Sequence, residues 1–170
     1  MVSLPFQRTA ELADGVSLVP STTEHIAPIV DIMLVSEPWL GYGFERHFLE
    51  RFVSGSVQAH IMRTVMVDAD NPDEAMVAGA VSLHPGFLGG RYIEVLLLAP
   101  RLRGKGLGRR IIETLCEEMP SSLRDLYLLV SESNAPAVGF YRRLGFREVG
   151  PLPDLMVPGK TEILLWLRFR

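Results

Sequence analysis

The sequence predicts an α/β (α+β) domain: a mixed, mostly antiparallel central sheet with helices on both faces. Three observations predict it. Apolar residues recur with the two-residue period of strands and the 3.6-residue period of helices, in the order β-α-α-β-β-β-α-β-α-β-β. A glycine-rich, basic turn joins the strand 91–98 to an amphipathic helix. The composition, 48% apolar and 22% charged over 170 residues, is that of a globular chain long enough to bury a sizeable core. Without a repeat, a low-complexity tract or a long linker, residues 1–170 read as a single domain.

Residues 1–14 read as a loose leader or an extra edge element. A short strand covers 16–19, and Ser21, Thr22, Thr23 and Glu24 form a capping-box pattern opening a helix that reaches about Val35. The Pro/Gly break at 37–43 separates it from a second helix in which Phe44, Phe48, Leu49, Phe52 and Val53 share one face. Strands follow at roughly 57–67 and 76–84, then a loop over 85–90 and the strand 91–98. The next helix buries Leu107, Ile111, Ile112, Leu115 and Cys116 and leaves Glu113 and Glu117 to water. A strand at 125–130, a helix at 135–144, a short strand near 147–149 and a strand at 161–169 complete the chain. In the last of these the apolar run 163–167 reads as buried on both faces, with a subunit contact, hence a homodimer, as second choice.

The chemistry concentrates at the turn. Gly104, Gly106 and Gly108 lack a Cβ, so the backbone can approach a ligand and present successive N–H groups at a helix N-terminus. Arg101, Arg103, Lys105, Arg109 and Arg110 surround that spot with cations, and Leu107 opens the helix. A phosphorylated ligand is the simplest occupant. The dinucleotide pattern G-x-G-x-x-G fails, because Arg109 stands where the last glycine belongs. The P-loop pattern also fails, because Lys105 is followed by Gly106 and not by Ser or Thr.

What fits is Arg103-x-x-Gly106-x-Gly108, which resembles the acyl-CoA pyrophosphate loop of the GNAT acetyltransferase superfamily. A second block resembles the same family's N-x-x-A-x-x-F-Y-x-x-x-G-F pattern, with Asn134, Ala137, Phe140, Tyr141, Gly145 and Phe146 in register. The resemblance covers 92–110 and 126–146 by motif and roughly 16–169 as architecture. It implies a GNAT-type acyl-CoA N-acyltransferase fold with acetyl-CoA as the cofactor. The backbone near Leu96 and Leu98 would hold the pantetheine amides and thioester as an added strand would, and the N–H groups of 104–109 the pyrophosphate, with Arg103 and Lys105 as charge partners. Asn134 would help to close the other wall. By its motif position Tyr141 would lie near the cofactor sulfur and give a proton to the leaving thiolate.

Glu94 shares a strand face with Tyr92, Leu96 and Leu98 by the period of two, so it is a candidate base acting through a water; a water chain or backbone carbonyls are the alternative. Glu37, Trp39 and Tyr42 lie where the family builds its acceptor pocket, Glu37 as an attractor for an amine, although Trp39 is equally well read as an anchor to the core. His84 reads as a residue at a strand end, bordering the acceptor site or merely solvated. Arg142 and Arg143 reach toward phosphate or coat their helix.

These features point to direct N-acetyl transfer to a primary amine of a small metabolite or amino-acid-like acceptor. A protein N-terminus or lysine is the second acceptor class, and a CoA-binding sensor or interaction module without turnover is the alternative outside enzymes. A net charge of -3 argues against a nucleic-acid partner. The single cysteine, Cys116, excludes an intrachain disulfide and any multi-cysteine metal site, and the four histidines lack ligand spacing. With no signal peptide or eighteen-residue apolar stretch, the expectation is a cytoplasmic protein without a membrane partner.

Overall fold

The computed structural model describes residues 8–68 and 76–169. Their elements run β1 (Ala10–Ala13), β2 (Val16–Pro20), α1 (Ile26–Leu34), α2 (Trp39–Tyr42), α3 (Arg46–Gln58), β3 (Met62–Val67), β4 (Met76–Phe87), β5 (Gly90–Leu98), α4 (Leu107–Glu118), β6 (Asp125–Ser131), α5 (Ala135–Arg143), β7 (Arg147–Pro153) and β8 (Thr161–Arg168). The sheet has eight strands in the order β1-β2-β3-β4-β5-β6-β8-β7. The pairs β1–β2, β2–β3, β3–β4, β6–β8 and β7–β8 are antiparallel, while β5 and β6 run parallel. The expected order is present, with the one-turn α2 and, ahead of it, the hairpin strand β1 added. Of the expected leader, residues 1–7 lie outside the described residues, and the rest leads into β1.

The chain divides into two compact units, one reaching to Ser82 and resuming over Val95–Met119, the other comprising Leu83–Glu94 and Pro120–Arg170. In the first unit Ile29, Val30 and Met33 of α1 and Leu49, Val53 and Val57 of α3 pack with Met62, Ala80, Val95 and Leu97 of the sheet. Leu107, Ile111, Ile112 and Leu115 line the buried stripe of α4, as the helical period predicts. Cys116 is half-buried instead of buried. Burial pushes its thiol up to about 11, which keeps it protonated and a poor nucleophile. Arg63 is fully buried; its Nη1 pairs with Glu118 and its Nη2 donates to the Leu18 carbonyl at 3.4 Å, partners that a buried guanidinium requires.

Several boundaries differ from the expectation. The capping box uses Thr22 and His25: the Thr22 N–H donates to His25 Nδ1 at 3.1 Å, and a short 3-10 turn, Thr23–His25, precedes α1. The 37–43 break contains α2, which Gly43 ends at φ 69. Phe48 is 42% exposed, because α3 turns it away from the Leu49/Val53 stripe. Residues 57–61 are not strand: α3 continues to Gln58, the Ala59 N–H donates to the Gly55 carbonyl at 2.9 Å, and His60 at φ 55 redirects the chain into β3.

In the second unit β4 runs on through Pro85 to Phe87, so the expected 85–90 loop shrinks to the turn Leu88–Gly89, with φ 46 and 78, the left-handed pair that suits a tight hairpin. β6 pairs β8 from Asp125↔Arg168 to Ser131↔Glu162. The β5–β6 register covers Arg91↔Leu126 to Ile93↔Leu128. β7 is longer than expected, reaching Pro153. β8 alternates instead of being buried on both faces: Ile163 and Leu165 are buried, whereas Leu164, Trp166 and Leu167 are half-buried. No helix among the described residues is long and apolar enough to cross a membrane.

Candidate functional site

The first unit holds the basic turn. After β5 the Ala99 N–H donates to the Ala78 carbonyl at 2.8 Å, and a 3-10 turn, Pro100–Leu102, delivers the chain to Arg103. Gly104 and Gly106 follow at φ 74 and 82, a region that residues with a Cβ seldom occupy. A Cβ built on either would meet nothing within 4 Å, so the turn faces open space. Gly106 caps α4 without a side chain, and the Arg110 N–H is the donor that returns to its carbonyl, at 3.0 Å. The N–H groups of Leu107, Gly108 and Arg109 form the first turn, where a helix has donors to spare for an anion.

The cations divide by engagement. Arg103 donates from Nε to the Leu98 carbonyl at 2.8 Å and from Nη2 to Ser36 Oγ at 2.6 Å, clasping the end of β5 to the buried Ser36. Arg109 pairs with Glu113 at 2.8 Å and Arg110 with Glu117 at 3.3 Å, so these two carboxylates answer cations as well as meeting water. Lys105 is exposed and has no side-chain partner among the described residues. Leu96 and Leu98 share the half-buried face of β5, and Leu107 is an apolar anchor beneath the turn.

The expected acceptor-side residues also belong to this unit. Glu37 Oε2 accepts the Gly41 N–H at 3.2 Å and so braces α2. Trp39 packs partly buried against the α1/α3 core, in keeping with its reading as an anchor, and Tyr42 meets Phe44 edge-on at 5.5 Å.

The second unit holds the groups suited to proton transfer. Asn134 caps α5, its side-chain oxygen accepting the Ala137 N–H at 3.3 Å. Two turns on, Tyr141 is 9% exposed and packs against Phe140 and Phe146 with ring centroids 5.0 and 5.5 Å apart. Burial, and after it the neighbouring Tyr92, pushes the Tyr141 phenol above the usual tyrosine range, so it stays protonated at neutral pH. Burial followed by Glu94 and Glu162 pushes Tyr92 up to about 12. Arg142 is tied to Glu148 at 2.9 Å, which favours the reading that it coats its helix.

Two arrangements escaped the sequence reading. The first is the Ser36–Arg103 clasp, which spans 67 residues and has no local signature. The second is the contact of His84 Nε2 with Glu94 Oε2 at 2.8 Å, beside a ring cluster in which Phe87 lies 5.1 Å from Tyr92 and 5.2 Å from Tyr127. His84 is inside β4, not at its end.

The model of the acetyltransferase (GNAT) family matches residues 30–146, a span that holds both the glycine turn and the Asn134–Phe146 block. The chain belongs to the GNAT acetyltransferase family. Among curated relatives, the peptidyl-lysine N-acetyltransferase YjaB of Salmonella typhimurium is 29% identical over 102 residues, 60% of this chain and 61% of that protein. The glucosamine 6-phosphate N-acetyltransferase of Trypanosoma brucei brucei is 38% identical over 77 residues, 42% of this chain and 51% of its own length. The chain thus spans between half and two thirds of each of these relatives. Among solved structures, the Salmonella typhimurium acetyl transferase that modifies the N-terminal serine of ribosomal protein L7/L12 superposes with a TM-score of 0.74 at 14% identity, over 96% of this chain and all of that one. At that identity the likeness bears on the GNAT fold, an eight-stranded, mostly antiparallel sheet with helices.

Proposed function

We propose that this GNAT member transfers the acetyl group of acetyl-CoA directly to a primary amine, without a covalent enzyme intermediate. One observation carries the reading: Gly104 and Gly106 hold left-handed backbone facing open space at the bare N-terminus of α4, with Lys105 exposed beside them and without a side-chain partner among the described residues. That combination fits a pyrophosphate, since it offers backbone donors, a helix dipole and an exposed cation without a side chain in the way.

Bound acetyl-CoA supplies an activated acetyl thioester. The N–H groups of 104–109 bind its diphosphate, with Lys105 and Arg109 as charge partners and Arg103 setting the turn from behind through Leu98 and Ser36. Backbone groups near Leu96 and Leu98 orient the pantetheine arm, and Asn134 fixes the start of the helix that carries Tyr141. Tyr141 gives its proton to the departing thiolate; its burial keeps the phenol protonated until then. Glu94 supplies the carboxylate on the proton-accepting side, where the amine must lose a proton before it attacks.

The acceptor is a small amine or amino-acid-like molecule, drawn in past Glu37, Trp39 and Tyr42. A peptidyl lysine is the second reading, favoured by the name of the Salmonella relative. Calorimetric titration with acetyl-CoA, followed by thiol release over a panel of amines and a lysine peptide, tests the proposal. Binding with amine-dependent release supports it. Binding without release favours a CoA sensor, and absence of binding overturns the assignment of the turn.

A further inference from the structure

His84 and Glu94 stand 10 residues apart, and the short Leu88–Gly89 turn brings Nε2 of one to Oε2 of the other at 2.8 Å. An ionised carboxylate can only accept, so Nε2 carries the hydrogen and Nδ1 keeps its lone pair. Nδ1 has no partner among the described residues. The imidazole is also the more open of the two groups, its side chain 40% exposed against 26% for Glu94. The other titratable group facing it is Tyr92, whose ring lies 6.3 Å away and whose phenol, pushed up to about 12, stays neutral and does not compete for a proton. Glu162, on β8, is the remaining charge acting on that phenol, and Phe87 contributes an apolar ring.

We propose that His84, through Nδ1, is the base that deprotonates the acceptor ammonium, and that Glu94 is a positioning residue which holds the imidazole in the Nε2–H tautomer. The proposal deepens the acetyl-transfer reading and rests on it. In the step, one N–H bond of the ammonium breaks, its electron pair stays on the nitrogen as the nucleophile, and the proton forms a new N–H bond at Nδ1. The Glu94 carboxylate stabilises the imidazolium until that proton passes to water.

Glu94→Gln separates the two roles. An amide can donate to Nε2, which moves the hydrogen to Nδ1 and removes the lone pair the base needs. Nitrogen-15 NMR of the imidazole at mildly alkaline pH, assigned with His84→Gln, reads the tautomer without any substrate. The expected result is Nε2–H in the wild type and Nδ1–H in Glu94→Gln. Thiol release at saturating amine should fall by about 10²–10⁴ in both variants, as for loss of a general base. Calorimetric affinity for acetyl-CoA should be retained, which shows the variants to be folded. A wild-type Nδ1–H tautomer, or full turnover in His84→Gln, overturns the proposal. So does a Glu94→Gln variant that stays Nε2–H yet is slow, since that makes the carboxylate the base. If the wild type releases thiol with no amine, the acetyl-transfer reading fails, while the tautomer still decides the His84–Glu94 arrangement.

Discussion

Gly79 of β4 is the position where one methyl group should do the most damage. A Cβ there would press into the Leu97 carbonyl oxygen, and would also lie 3.1 Å from the Leu97 carbonyl carbon and 3.2 Å from Leu98 Cα. All of these atoms are backbone, so no side chain can swing aside. Comfortable carbon–oxygen contacts between strands sit at about 3.3–3.6 Å, so Gly79→Ala must part the two strands by roughly 1 Å. The Ala99 N–H to Ala78 carbonyl bond, 2.8 Å long and one residue away, would then exceed hydrogen-bonding range. Overpacking costs about 1–3 kcal/mol and the lost bond about 1 kcal/mol, together roughly 2–4 kcal/mol. At about 2–4 °C per kcal/mol for a chain of this size, Tm should drop by roughly 4–16 °C. Differential scanning calorimetry of Gly79→Ala beside Gly55→Ala, whose added Cβ would meet nothing within 4 Å, isolates the clash. A Gly79→Ala melting curve that overlays the wild type would refute the close approach of β4 and β5 at Leu97.

Gly106→Val sets a β-branched side chain at φ 82 in the space assigned to the diphosphate, so calorimetric affinity for acetyl-CoA should fall by about tenfold or more; a folded variant with unchanged affinity removes the cradle. Tyr141→Phe keeps the ring packing and loses the donor, so kcat should fall by about 10²–10⁴ while acetyl-CoA affinity holds, and full activity would end its role as acid. Asp125 accepts from Arg168 at 2.9 and 3.0 Å and from Trp166 at 2.8 Å, and the Arg168 guanidinium, with help from Trp166, holds its carboxyl below the usual range. A depressed carboxyl stabilises the fold above the unfolded value of about 3.9 and loses that contribution as pH falls through the folded one. The Tm deficit of Asp125→Asn should therefore be visible at neutral pH and vanish on acidification, and a deficit independent of pH would show that charge is not its source.

Elements whose burial follows a simple period were legible. β5 alternates buried and half-buried positions from Ile93 to Leu98, and α4 shows its stripe from Leu107 to Leu115, so their faces could be read directly. The end of α3 was not, because Val57 and Ile61 look like the start of a strand and His60 takes a left-handed conformation without being glycine. The hairpin β4–β5 was misjudged because Pro85 and Gly86 look like a loop. With the turn drawn too wide, His84 and Glu94 fall out of reach of each other. Only the tight Leu88–Gly89 turn brings them together, and this is why each residue could be named alone while their pairing could not. The Arg103–Ser36 clasp had the same fate for a different reason, since tertiary packing alone joins groups so far apart in sequence.

Helix α5 acts as a ruler. Asn134 fixes one end through the Ala137 N–H, and Gly145 at φ 92 releases the chain at the other, so Tyr141 sits a set number of residues from a pinned origin. A helix advances about 1.5 Å and turns about 100° per residue. One residue inserted or deleted between Asn134 and Tyr141 therefore swings the phenol off its side of the helix, however conservative the residue itself. Within this stretch chain length, more than side-chain identity, decides whether the hydroxyl arrives, and shuffling or loop grafting in this protein should cut at 154–160 and leave 134–145 whole.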